Sequence, residues 1–283
     1  MVFFFKESIL LNSFGFLVLI LGIFSDSNRI SSPKIRIFLQ LALLTSFVTM
    51  VDLRVEDVRI DYLNELLNIN LISIIFTVFC MLVLINGSNF VDGLNTLLVG
   101  YYILVCSFLI FLSNEHNLII NQNINFLLIF LVLIFIFNFF GKIFLGDSGA
   151  YLISFYMAFF VINFNEKNIS VSPYLICFFL WYPAFENFFS ILRRIIKRKK
   201  VQDPDQNHLH QMIYNFLIKI KLMNYKFINT FVGLIINVFN LMMFLIFYKF
   251  YTYTNILLLG IIINIFIYLF LYFFIQKKFN HLQ

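Results

Sequence analysis

The sequence predicts an all-α, polytopic membrane helix bundle, and three observations predict it. Apolar stretches near the ~20 residues needed to cross a bilayer recur along all 283 residues. Hydrophobic residues make up 61% of the chain and charged residues 12%, with a mean hydropathy of +0.93; a soluble domain carries about twice that charge. The apolar runs do not alternate with period two, which argues against a membrane barrel. No polar stretch is long enough to bury a core of its own, so 1–283 reads as one integral-membrane domain.

About nine transmembrane helices are expected, at roughly 3–24, 35–51, 69–86, 93–113, 124–140, 149–164, 171–191, 227–248 and 255–275. The first lacks the basic start and small-residue cleavage site of a signal peptide. Lys and Arg then orient the chain: one set of loops holds 15 and the opposite set 5. The richer set belongs in the cytoplasm, which puts the N-terminus outside and the C-terminus inside. The net charge of +6 is therefore mainly a topology signal, with attraction to anionic headgroups second, and it implies no nucleic-acid partner. Cys80, Cys106 and Cys177 lie inside apolar runs and read as packing residues. The external segments 52–68 and 113–123 read as solvated loop or interfacial helix.

Four polar islands interrupt the apolar runs on the basic side. The most informative is Gly141-Lys142-Ile143-Phe144-Leu145-Gly146-Asp147-Ser148-Gly149. Ionisable groups beside a membrane span are costly unless they line a cavity or meet water. Asp147 is a hard oxygen donor suited to Mg²⁺, and Lys142 suits a phosphate. A second island, Asn86-Gly87-Ser88-Asn89-Phe90-Val91-Asp92-Gly93-Leu94-Asn95, sets Asn89 and Asp92 one helical turn apart. It reads equally as a turn between antiparallel helices with Asp92 as a cap. A third runs from Ser25-Asp26-Ser27 through Ser32-Pro33-Lys34 and Arg36 to Gln40. It places an acid and a base near one surface, or else holds topology anchors only. The fourth joins Tyr182-Pro183-Ala184-Phe185-Glu186, Arg193 and Arg194, a basic run at 197–200, and Asp205-Gln206-Asn207-His208-Leu209-His210. An extended backbone sends both histidines to one side, where donation to phosphate fits better than zinc, which needs more ligands. The run 197–200 reads as a solvated loop.

In this order the islands resemble the polyprenyl-phosphate N-acetylhexosamine-1-phosphate transferases (glycosyltransferase family 4), relatives of the phospho-N-acetylmuramoyl-pentapeptide transferase of cell-wall synthesis. The resemblance covers about residues 10–275 and rests on Asp26 before Ser-Pro-Lys34, Asn89-x-x-Asp92-Gly, Lys142-Ile-Phe-Leu-Gly-Asp147-Ser-Gly and Asp205-x-x-His208-x-His210. It implies a Mg²⁺-dependent enzyme that moves a sugar-1-phosphate, an N-acetylhexosamine by analogy, from a UDP-sugar to undecaprenyl or another polyprenyl phosphate. UMP is released, and a lipid-linked envelope glycan is begun. It further implies a multi-pass protein of the inner (plasma) membrane with a cytoplasm-facing site, for which a homodimer is compatible. Carried over residue by residue, Asp147 is the magnesium ligand and Asp92 an active-centre carboxylate beside the amide of Asn89. Lys34 is a base near the phosphates, His208 and His210 belong to the nucleotide-sugar loop, and Asp26 activates or positions the lipid phosphate.

The chain departs from the pattern in places. Asp26 stands alone where the family has two adjacent aspartates, with Ser27 or, after a one-residue shift, Ser25 at the other position. Asn95, Glu186 and Gln211 replace a frequent aspartate, aspartate and histidine. Relatives have eleven spans and this chain starts near their third, so two helices are expected to be missing. A catalytically inactive or truncated paralogue serving as scaffold or assembly partner is the alternative reading. A transporter is disfavoured, because its binding residues would lie near the bilayer midplane.

Overall fold

The computed structural model describes residues 2–198, 207–220 and 225–281. Twelve α-helices and no strands lie among them. They are α1 (Val2–Asp26), α2 (Pro33–Val51), α3 (Asp61–Leu67), α4 (Asn70–Val91), α5 (Leu97–His116), α6 (Asn123–Phe139), α7 (Gly146–Lys167), α8 (Pro173–Phe179), α9 (Trp181–Ile196), α10 (Leu209–Lys219), α11 (Tyr225–Phe247) and α12 (Thr254–His281). Seven are long and apolar enough to cross a membrane, α8 and α9 together form a bent eighth, and α6 is a shorter apolar helix of 17 residues. A helix thus overlaps each of the nine expected segments, and up to eight of them qualify as spans.

Three expectations need correction. The seventh span, drawn as one helix over 171–191, is broken by 72° between α8 and α9. Pro183 causes the break: it has no N–H to return to the carbonyl of Phe179, and its ring opposes a continuous helix there. A bare carbonyl is expensive in lipid, and the Tyr101 hydroxyl donates to this one at 2.8 Å. The third span runs on past 86 to Val91, so Asn89 sits in the helix rather than in a loop. Asp92 does not cap the next helix, whose N-cap is Thr96.

The core holds the ends of these helices in register. α1 packs antiparallel on α7, α4 lies against α7, α9 and α2, and α5 is held by α6 and α11. Phe47, Phe155 and Phe159 form one aromatic cluster, and Tyr101, Phe178, Phe179 and Phe244 another. Lipid tails are as apolar as leucine, so close helix approach here depends on small residues. Gly22 of α1 packs against the backbone of Ser148 on α7, and Gly87 of α4 against the carbonyl of Pro183 on α9. Both contacts lie at the end of the bundle where the polar islands collect.

Candidate active site

The α1 to α2 connection and the start of α7 form a single polar cluster. Gly146 takes a φ of +61°, a value that favours glycine, and turns the chain into α7. The first free amides of α7 then point at Asp26, whose carboxylate accepts from Asp147 N–H at 2.8 Å and Ser148 N–H at 3.0 Å. A carboxylate on a helix N-terminus is favourable through both hydrogen bonds and the helix dipole. The Asp147 side chain faces back toward α1 and α2. Its Oδ2 accepts from Arg36 Nη1 at 2.9 Å and from the Ser25 hydroxyl.

Lys34 is exposed and is not the cation that meets Asp147; that cation is Arg36. Two residues along a helix are about 200° apart, so only one of the pair can face the pocket. Ser25, not Ser27, is the serine that reaches the site, while Ser27 is exposed and donates to the carbonyl of Phe24. Lys142 is exposed on the loop before α7.

The second island joins this cluster through shared amides. Asn86 Nδ2 donates to Gln40 Oε1 at 3.0 Å, tying α4 to α2. Asn138, the polar residue near the end of an otherwise apolar α6, accepts from Thr96 N–H and donates to Ile143 O at 2.8 Å. It thereby fastens the loop after Asp92 to the loop before Asp147, with Thr96 held at a φ of +67°. Asn89 lies one turn before Asp92 on α4 and is half-buried. Burial, then the charges of Asp147 and Asp26, push the Asp92 carboxyl well above the usual carboxylate range. Asp92 thus lies within electrostatic reach of Asp147 and Asp26.

The histidines form a second, buried cluster. Glu186 is fully buried on α9; its Oε2 meets His208 Nδ1 at 2.8 Å. Its Oε1 accepts from Leu209 N–H at 3.1 Å and from the Tyr268 hydroxyl of α12 at 2.8 Å. His208 precedes α10 with an extended backbone (φ −70°, ψ 146°), His210 lies in its first turn, and their rings stack 5.6 Å apart. Phe90, two residues before Asp92, stacks on His208 at 5.3 Å and lies under the guanidinium of Arg194. His210 Nε2 is buried with no hydrogen-bond partner among the described residues, and it closes on Gly93: a methyl at Gly93 would stand 2.7 Å from it. Burial pushes the His210 pKa below the usual histidine value, although Glu186 pulls it upward. Residues 199–206, including Lys199, Lys200 and Asp205, lie outside the described residues, as does Lys221.

The structure therefore brings Asp26, Asp92 and Asp147 to one end of the bundle and sets His208 and His210 against the loop that carries Asp92. It leaves Lys34 and Lys142 at the surface. Sequence reasoning missed Arg36 and Ser25 as contacts of Asp147, Asn138 as a brace, and Glu186 with Tyr268 as the anchor of the histidines. Helical phase could have separated Arg36 from Lys34, and a lone asparagine ending an apolar helix was a signal for Asn138. Nothing in the sequence marks Tyr268.

A many-helix bundle with seven helices long and apolar enough to cross a membrane, and with carboxylates, amides and cations gathered at one end, defines the class: a multi-pass membrane protein. The chain belongs to glycosyl transferase family 4, whose family model matches residues 8–165. It is similar to the probable undecaprenyl-phosphate N-acetylglucosaminyl 1-phosphate transferase of Bacillus subtilis, 24% identical over 205 residues, which are 71% of this chain and 57% of that protein. It is also similar to the undecaprenyl-phosphate alpha-N-acetylglucosaminyl 1-phosphate transferase of Thermotoga maritima, 32% identical over 72 residues, 25% of this chain and 23% of that one. The chain thus spans little more than half the length of the first of these relatives.

Proposed function

We propose that this protein transfers a sugar-1-phosphate, an N-acetylhexosamine phosphate, from a UDP-sugar to a polyprenyl phosphate such as undecaprenyl phosphate, releasing UMP at the cytoplasmic face of the plasma membrane. The observation that carries the reading is the contact of Asp26 with the amides that open the Asp147 helix, together with the Asn138 brace between the loop after Asp92 and the loop before Asp147, all within the family match. Two anionic phosphates must approach each other, and such reactions are catalysed mainly by positioning and charge neutralisation.

Mg²⁺ fits the donor set. Asp92 sits in a field that disfavours its own ionised form, which a divalent cation would relieve. Among the described residues no group of three or more His, Cys, Asp or Glu side chains is placed to hold a metal ion. Mg²⁺ does not need one, since it commonly binds through one or two carboxylates together with waters and substrate phosphates. Asp92 and Asp147 would hold it; bound, it would neutralise the charge developing on the transferred phosphoryl group. Asp26 keeps the start of α7, and so Asp147, in place through two amide bonds. His208 and His210, fixed by Glu186, face the Asp92 loop, where the sugar nucleotide would lie.

A largely apolar cavity of about 610 Å³, bordered by Arg54, Glu56, Asp57 and Glu166 at the end of the bundle away from Asp147, suits the lipid tail. Phe79 and Val83 of α4, Leu180 at the break, and Trp181, Phe185 and Phe188 of α9 line it. Its last α4 residue, Leu84, is eight residues before Asp92, a rise of about 12 Å. The carrier's phosphate would reach the site while its chain stayed in the groove opened by the broken helix.

The scaffold alternative has one observation in its favour: Ser25, not a second acid, meets Asp147. One assay decides between the readings. The purified full chain in nanodiscs, given Mg²⁺, polyprenyl phosphate and a panel of UDP-N-acetylhexosamines, should release UMP only when all three are present. Asp147→Asn should lower turnover by at least about a hundred-fold. A monodisperse preparation that releases UMP from no donor would refute the transferase and leave the scaffold.

A further inference from the structure

Arg36 holds a position that neither its place in the sequence nor the family match assigns. Its Nη1 lies 2.9 Å from Asp147 Oδ2 and 2.7 Å from Ser25 Oγ, and Ser25 donates to the same carboxylate oxygen. Three side chains from α1, α2 and α7 thus close a triangle on one oxygen of the carboxylate proposed above to hold the divalent cation. The pair is open rather than sealed, with side-chain exposures of 27% for Arg36 and 22% for Asp147. Partly exposed ion pairs of this kind contribute little stability, so little is lost when one is broken.

Charge bookkeeping suggests what the exchange would be. Asp26 is already committed to the amides of α7, so it is not a second seat for the guanidinium. A divalent cation on Asp147 would stand within a few ångströms of Arg36 and repel it. The displaced group is a planar fork of donors on a long stem, the side chain best matched to phosphate oxygens. Pro33 starts α2 at a fixed angle, and Arg36 leaves its first turn on the Asp147 side, while Lys34 points away.

We propose that Arg36 is a place-holder that neutralises Asp147 until a divalent cation takes the carboxylate, and that its guanidinium then passes to a phosphate oxygen of the polyprenyl phosphate. The inference rests on the transferase reading and adds a ligand-binding residue to it. No bond is made or broken in the exchange.

The test reads binding, not turnover, so that its failure is separable from failure of the transferase assay. Free Mn²⁺ is measured by electron paramagnetic resonance with the full chain in nanodiscs, for wild type, Arg36→Gln, Arg36→Lys and Asp147→Asn. Farnesyl phosphate binding is measured by calorimetry at saturating Mg²⁺. Arg36→Gln should bind Mn²⁺ about three- to ten-fold tighter than wild type, because the competing cation is gone. It should bind farnesyl phosphate at least about ten-fold weaker. Arg36→Lys should lie between wild type and Arg36→Gln in both, and it keeps the test open if the glutamine variant fails to fold. Mn²⁺ binding that is unchanged or weaker in Arg36→Gln overturns the place-holder role. Tighter Mn²⁺ with unchanged farnesyl phosphate affinity overturns the hand-over. Equal Mn²⁺ binding by wild type and Asp147→Asn overturns the proposal together with the metal role of Asp147.

Discussion

Gly22→Ala should uncouple the site while leaving the bundle assembled. Gly22 faces α7 so closely that an added methyl would stand 2.7 Å from Ser148 N and nearer still to Ser148 Cα. Backbone atoms of a neighbouring helix cannot rotate away. Restoring ordinary carbon contact requires α1 and α7 to part by about 1 Å near this point. The bonds from Asp147 N–H and Ser148 N–H to Asp26, now 2.8 and 3.0 Å, would stretch to about 4 Å, beyond hydrogen-bond range. Overpacking of this kind costs about 1–3 kcal/mol, offset by about 1 kcal/mol of helix propensity gained on replacing glycine. The net loss of stability is therefore small. The effect on turnover should be larger, about a hundred-fold, because a 1 Å displacement at a reacting centre costs that much. Gly15→Ala on the same helix is the control. It gains the same propensity, but its methyl meets the hydroxyl end of the Tyr156 side chain, which can swing aside. Melting curves by fluorescence-detected size exclusion, with UMP release at saturating substrates, measure both variants. Wild-type turnover in Gly22→Ala, or equal losses in the two variants, would refute the claim that the α1/α7 contact sets the site.

Other perturbations probe the histidine cluster. Glu186→Gln replaces two acceptor oxygens with one, so at least one of the donors His208 Nδ1, Leu209 N–H and Tyr268 O–H must face an amide NH₂. With His208 held as the Nδ1–H tautomer, one buried donor is left unsatisfied, at a cost of about 1–3 kcal/mol. The melting temperature should fall further in Glu186→Gln than in Tyr268→Phe, which removes a donor and strands none; a reversed order would show that Tyr268 is the principal anchor. His210 supplies a pH test. Its folded pKa is depressed by burial, so the unfolded chain takes up the proton first. The stability it contributes is present above the unfolded value near 6.5 and is lost as pH falls toward the folded value. Melting measured from pH 7.5 to 5 should decline more steeply in wild type than in His210→Gln; parallel curves would exclude His210 as the source.

The spans were legible because lipid enforces them: backbone groups must pair within a segment, so length and apolarity suffice to find it. The break between α8 and α9 escaped the same reasoning, since averaging over an apolar run hides a proline whose consequence is one missing hydrogen bond. α10 escaped for a related reason: eleven residues are too few to span, and its helical character depends on docking beside α11 and α12. At the site, the motifs identified the acids and the histidines but not their partners. Glu186 finds His208 22 residues away and Tyr268 82 residues away. No local pattern encodes which two distant helix faces will meet.

The contacts that separate legible from illegible share a feature that explains how such a site is built in lipid. Without a hydrophobic force between helices, polar islands on four separate connections meet only where backbones can approach. Glycine supplies four of the meeting points: Gly22 to Ser148, Gly87 to Pro183, Gly93 to His210, and Gly233 of α11 to Asn95 and Leu97. Each contact lies within a few residues of a carboxylate, amide or imidazole of the cluster. Helix packing and site geometry are therefore one quantity here, and a methyl placed at any of these glycines perturbs both. A membrane site assembled this way tolerates wide change in its lipid-facing residues, since those carry no packing information. It tolerates little at residues that carry no functional group at all.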